Sequence, residues 1–161
     1  TTFYEDRTGH RTVSKGPAMS DTTTSGRSKR PKPPMMDVLG YRDTLHVDRE
    51  TGRVIYQFEA LPSLCHSGGV VQGGFIGGWL DAVTAGAVFA KRGSGTIVST
   101  LELKVSYFRR VDAGMVVTAE GWVEHLGTRI AFMEGTLKDP TGTVVAKAST
   151  TARISDHKKK T

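Results

Sequence analysis

Asp81 is the first residue in this chain whose type and setting point to chemistry. It sits in Gly73–Ala90, GGFIGGWLDAVTAGAVFA, where Thr84 is the only other polar side chain. A carboxylate buried in an apolar helix costs several kcal/mol unless it is paired or hydrogen-bonded. Desolvation also shifts such a group toward the range useful for proton transfer or nucleophilic attack. The same segment opens on Gly73-Gly74. A helix start offers unpaired N–H groups and the positive end of a dipole. Two glycines let a carbonyl approach those N–H groups closely. An acid and a set of oxyanion donors are the two parts that hydrolysis of an activated acyl group requires.

Their spacing sets a limit. Asp81 follows Gly74 by seven residues, about two turns, so the two share a helix face roughly 10 Å apart along the axis. That is too far for both to reach one carbonyl carbon. Two subunits with antiparallel helices would bring Gly74 of one to Asp81 of the other. The spacing therefore predicts a site at a subunit interface.

The elements that must position these groups follow from pattern. YRDTLHV and VIYQFEA flank the turn DRETGR and read as a hairpin. LPSLCHSGG is a loop. VVQGG opens the apolar helix, which ends near AKRGSG, with Lys91 and Arg92 in the last turn and Gly93 as a left-handed cap. IVSTLELKVSYF, MVVTAEGWVEH, IAFMEGTLK and TVVAKASTTARI are strands, the last two joined by the turn DPTG. A helix apolar all round needs cover on most sides. A curved antiparallel sheet wrapped around it supplies that cover, in the α+β class, and its free edges favour pairing into a dimer.

Composition bounds the partners. The net charge is +6 over 161 residues. Residues 1–35 carry +4 and 153–161 carry +3, which leaves −1 for 36–152. Basic charge confined to the tails, without a basic face on the domain, argues against a nucleic-acid partner. Residues 1–35, ending in KRPKPP, read as a disordered basic tail, and 155–161 as a second basic tail. Met19 is a candidate natural start, with 1–18 as added sequence. The single cysteine, Cys65, allows no intramolecular disulfide and fits a reducing cytoplasm. Residues 1–20 lack an apolar run. Gly73–Ala90 is about long enough to span a bilayer, but Asp81 and five glycines interrupt it, so it reads as a core helix and not a membrane span. The histidines show no metal-binding spacing, so no metal and no cofactor are expected.

The ordered set His66-x-x-Gly69-x-x-Gln72-Gly73-Gly74, then Asp81, then Val98-Ser99-Thr100-Leu101, with Tyr107-Phe108 and His125-Leu126-Gly127 later, resembles the hotdog-fold acyl-CoA thioesterases. The phenylacetyl-CoA thioesterase-like (PaaI) family is the best match. The resemblance covers about 38–154, nearly all of an expected domain at 36–154. It implies a hotdog fold, a curved antiparallel sheet around one long central helix, and hydrolysis of an acyl-CoA to free acid and CoA by a homodimer or homotetramer. It implies that Asp81 is general base or nucleophile. It implies that the Gly74 N–H polarises the thioester carbonyl, beside Gly73. Gln72 falls where many members carry His. His66 falls where many carry Asn or Gln, which leaves its water-positioning role open. Ser99 and Thr100 fall where a hydroxyl from the neighbouring subunit assists. Arg129 falls where members present a basic residue to the nucleotide end, and Lys91, Arg92, Arg109 and Arg110 are further cations in the folded part. Phe75, Trp79 and Leu80 are candidates to line an acyl tunnel.

Two other functions fit the same fold. A non-catalytic acyl-CoA-binding module gains nothing from a buried acid. A hydratase or dehydratase needs a carboxylate–His pair, and the Asp-x-Asn-x-x-His helix motif is absent.

Overall fold

The computed structural model describes residues 33–93 and 95–156. The 1–18 assignment and most of both tails lie outside the described residues. The described residues begin with a short helix, α1 (Pro34–Val38), which the sequence reading did not anticipate. The hairpin β1 (Tyr41–Asp48) and β2 (Arg53–Glu59) follows, then a 3₁₀ turn at Pro62–Leu64 and the long helix α2 (Gly73–Arg92). Four strands complete the fold: β3 (Thr96–Tyr107), β4 (Val116–Leu126), β5 (Ile130–Lys138) and β6 (Val144–Asp156).

All six strands form one antiparallel sheet in the order β1-β2-β4-β5-β6-β3. α2 lies along one face of it. The core between them holds Val54, Phe58, Trp79, Leu80, Val83, Val117 and Leu137, all 0–1% exposed. Phe58 and Trp79 stack at 5.8 Å between centroids. The Trp79 indole donates to the Leu39 carbonyl at 2.7 Å, which ties the residue after α1 to the middle of α2. Gly121 on β4 lies directly against the α2 backbone. A Cβ there would be 2.7 Å from the Val83 carbonyl oxygen.

By length and mean hydropathy α2 qualifies to cross a bilayer, and it packs on the sheet as its core helix, as the sequence analysis expected. Two other expectations about α2 need correction. It is not covered all round. Gly74, Gly78, Asp81, Ala82, Ala85 and Phe89, spaced as one helical stripe, all keep some exposure, and Phe89 is 40% exposed. At its end Gly93 has φ 94° and ψ 164°. That is a glycine-only conformation, but not the expected left-handed cap. The turn DPTG forms around Asp139, whose carboxylate accepts the N–H groups of Thr141 and Thr143. Gly142 there has φ 85°.

Candidate active site

The start of α2 is set by the chain that enters it. The Val71 N–H donates to the Val111 carbonyl at 2.8 Å, and the Gln72 N–H to the Leu64 carbonyl at 3.0 Å. This holds Gln72 extended as the N-cap, and its side chain makes no cap bond. The Phe75 N–H turns back to the Gln72 carbonyl at 3.0 Å. Among the described residues the N–H groups of Gly73 and Gly74 meet no acceptor. Gly74 is exposed, and a Cβ on it would meet nothing within 4 Å. A glycine here leaves a donor bare at the positive end of the helix.

Asp81 lies further along the same open face. Its carboxylate is half-buried, less enclosed than the sequence reading expected. Its Oδ1 accepts a hydrogen bond from the Thr100 hydroxyl at 2.7 Å. Thr84, the segment's other polar side chain, donates instead to the backbone carbonyls of Leu80 and Asp81. β3 is irregular between Thr100 and Glu102. Thr100 opposes buried Ala152 and faces α2, whereas Ser99 opposes exposed Arg153 on the other face. The structure therefore brings Thr100, and not Ser99, to Asp81 within one chain.

α2 and β3 enclose an open cleft of about 470 Å³, the size of a small-molecule site. Gly74, Gly77, Gly78 and Asp81 line one wall; Thr100, Leu103, Val105 and Tyr107 line the other. Trp79 and Leu80 are not in this lining. They point into the core, and Phe75 packs against it, so the expected tunnel residues do not face the cleft. His66 sits in the loop before α2, exposed, in a tight turn closed by the Gly69 N–H on its carbonyl at 2.9 Å. Its Nδ1 accepts the Gly68 N–H at 3.0 Å. The neutral ring then carries its hydrogen on Nε2 and can donate it outward. Arg129 is exposed in the β4–β5 turn and is not part of this cleft's lining.

The residue that sequence reasoning left out of the site is Tyr107. Its hydroxyl donates to the Gly73 carbonyl at 2.9 Å. It also borders a second cleft of about 390 Å³, lined among others by Gly73, Phe108, Arg109 and Arg110. Arg110 there pairs with Asp112 at 3.2 Å. The signal that could have found Tyr107 is period two: Leu103, Val105 and Tyr107 alternate along one strand face. Among the described residues no three His, Cys, Asp or Glu side chains cluster as metal ligands do.

One long helix on a six-stranded antiparallel sheet, with an acid and bare helix-start amides on its open face, defines a hotdog-fold protein equipped for acyl chemistry. A family model described as "Thioesterase superfamily" matches residues 68–146. Among solved structures, the chain is similar to a putative thioesterase, a phenylacetic acid degradation-related protein, from Ralstonia eutropha JMP134. The two share 32% identity over 79% of this chain and 94% of that one, with a TM-score of 0.73. It is similar also to a mutant of the phenylacetic acid degradation protein PaaI from Thermus thermophilus, at 27% identity over 74% and 97% of the chains and a TM-score of 0.65. A hypothetical thioesterase from Streptococcus pneumoniae TIGR4, solved with coenzyme A, shares the fold at 20% identity over 73% and 90%, with a TM-score of 0.65. No curated protein sequence matches the chain. The chain belongs to the thioesterase superfamily, as a PaaI-like hotdog thioester hydrolase.

Proposed function

We propose that this thioesterase hydrolyses acyl-CoA to the free acid and CoA, at a site that two subunits complete. One observation carries the reading. The Asp81 carboxylate and the unpartnered Gly74 N–H open onto the same cleft of α2, too far apart along the helix to serve one carbonyl. The coenzyme A in the Streptococcus pneumoniae neighbour supports a CoA thioester as the substrate class.

The thioester oxygen accepts from Gly74 N–H of one subunit, with Gly73 and the helix dipole behind it. Such a preorganised donor stabilises the oxyanion by roughly 3–4 kcal/mol. Asp81 of the other subunit acts in one of two ways. As a general base it takes a proton from water, whose oxygen attacks the carbonyl carbon. As a nucleophile it attacks directly, and water then cleaves the anhydride. In both routes the carbon–sulfur bond breaks and CoA leaves as the thiolate, which takes up a proton. Thr100 holds the carboxylate. Gln72 and His66 flank the helix start as polar groups for water or substrate. Ser99 and Arg129 lie off this chain's cleft, so their roles depend on the neighbouring subunit, Arg129 facing the CoA phosphates.

The molecule has the surfaces for that assembly. β3 is an edge strand in the single chain, and Leu101 on it is 61% exposed. Phe89 on α2, Ile97 and Leu101 on β3, and Phe108 after it are exposed apolar side chains. Exposed apolar side chains on and beside an unpaired edge strand support an interface there. The other edge, β1, also exposes Leu45 and Val47, but it is broken by two irregularities and carries Arg42, Asp43, His46 and Asp48, features that disfavour pairing. A homodimer through β3, or a homotetramer of two dimers, working in the cytoplasm, is the proposed form. A hydratase would need a His beside the acid, but Asp81 pairs with Thr100. Free-thiol release from short, aromatic and long acyl-CoAs, wild type against Asp81→Asn, tests the reading. Turnover lost in the variant is expected; a wild type silent on every acyl-CoA sinks it.

A further inference from the structure

We propose that Tyr107 is a positioning residue for the oxyanion donor: its phenol orients and polarises the peptide unit that presents the Gly74 N–H. The inference rests on the proposed role of Gly74. The Tyr107 hydroxyl donates to the Gly73 carbonyl at 2.9 Å. That carbonyl and the Gly74 N–H are the two ends of one planar peptide group. In a trans peptide they point in opposite directions, so a donor on the oxygen leaves the hydrogen clear for substrate. A carbonyl has two lone pairs, so the phenol adds to the helix ladder without replacing it. Hydrogen bonds in series polarise one another, which makes an N–H whose own carbonyl is occupied a stronger donor.

The contact also fixes the direction of that peptide. The Gln72 side chain gives the helix start no cap, so the first peptides of α2 lack that restraint. The ring of Tyr107 lies flush on Gly73: a Cβ there would be 3.3 Å from Cζ and 3.4 Å from the hydroxyl oxygen. β3 thus holds both halves of the site, through Thr100 on the acid and Tyr107 on the donor peptide.

Tyr107→Phe keeps the ring and removes only the hydroxyl. We expect kcat to fall about three- to tenfold, the scale of one neutral hydrogen bond, with KM for acyl-CoA and the melting temperature little changed. In a ¹⁵N-labelled sample the Gly74 amide proton should move upfield, as a weaker donor would. Wild-type turnover with unchanged kcat in Tyr107→Phe overturns the Tyr107 role alone. A raised KM with a lowered melting temperature and an unmoved Gly74 resonance also overturns it, since that is the mark of a strand anchor. A wild type inert on every acyl-CoA overturns the hydrolytic reading, and the Tyr107 role with it.

Discussion

The hydrogen bond from Thr100 to Asp81 gives the carboxylate a fixed direction, and it is the most easily probed contact in the cleft. Thr100→Val keeps the branched shape and removes the donor. Hydrogen bonds to charged groups contribute about 1.5–3 kcal/mol, so kcat/KM should fall roughly ten- to hundredfold. Ser99→Ala leaves the bond to Asp81 intact, so it should lower kcat/KM less than Thr100→Val does, and steady-state kinetics on both variants checks the contrast. The sequence could not separate these two hydroxyls. Simple alternation back from Tyr107, Val105 and Leu103 puts Leu101 and Ser99 on the inner face. The irregularity between Thr100 and Glu102 shifts the strand by one residue, turning Thr100 inward and leaving Leu101 exposed. Asp81 was legible because a lone charge in an apolar run stands out. Its half-exposed state was not, because composition says nothing about which helix face the sheet leaves open.

Among the elements, the sheet carries a charged group that no motif announced. Glu120 on β4 is 6% exposed on the face away from α2. Arg53 and Lys138 reach it from the two neighbouring strands. Burial raises its carboxyl, but the hydrogen bonds and charges of Arg53 and Lys138 outweigh that and hold it below the ordinary glutamate value. A group depressed in the folded state stabilises above its unfolded pKa, and the contribution is lost as pH falls through the folded one. Glu120→Gln should therefore destabilise by about 1–3 kcal/mol at neutral pH. The gap to wild type should narrow as the pH falls below the ordinary glutamate range, as read from urea midpoints. Gly121→Ala tests the helix–sheet contact, because the new Cβ would overlap the Val83 carbonyl oxygen. Overpacking of this kind costs about 1–3 kcal/mol, visible as a lower melting temperature with unchanged oligomeric state. The strands themselves were legible: β5 spans Ile130–Lys138, as the pattern indicated. α1 was not, since five residues opening on proline carry no period.

For the molecule as a whole, the near-neutral domain and the bare β3 edge point the same way. Both support the proposed pairing with a second copy of this chain over binding to a polyanion. The order of the strands explains why sequence could only argue this from spacing. β3 follows α2 in the chain but is placed at the sheet's far edge, beside β6, and nothing local in its residues says so. The central claim is that acid and oxyanion donor come from different subunits. It is tested by mixing two inactive variants, Asp81→Asn and Gly74→Leu, after dissociation and reassociation. Gly74→Leu is chosen because a side chain there meets open space in its own subunit. In a two-fold symmetric dimer, random pairing should restore about a quarter of wild-type kcat, since half the dimers are mixed and each holds one intact site. No recovery in verified mixed dimers would contradict the shared site and return the chemistry to a single chain.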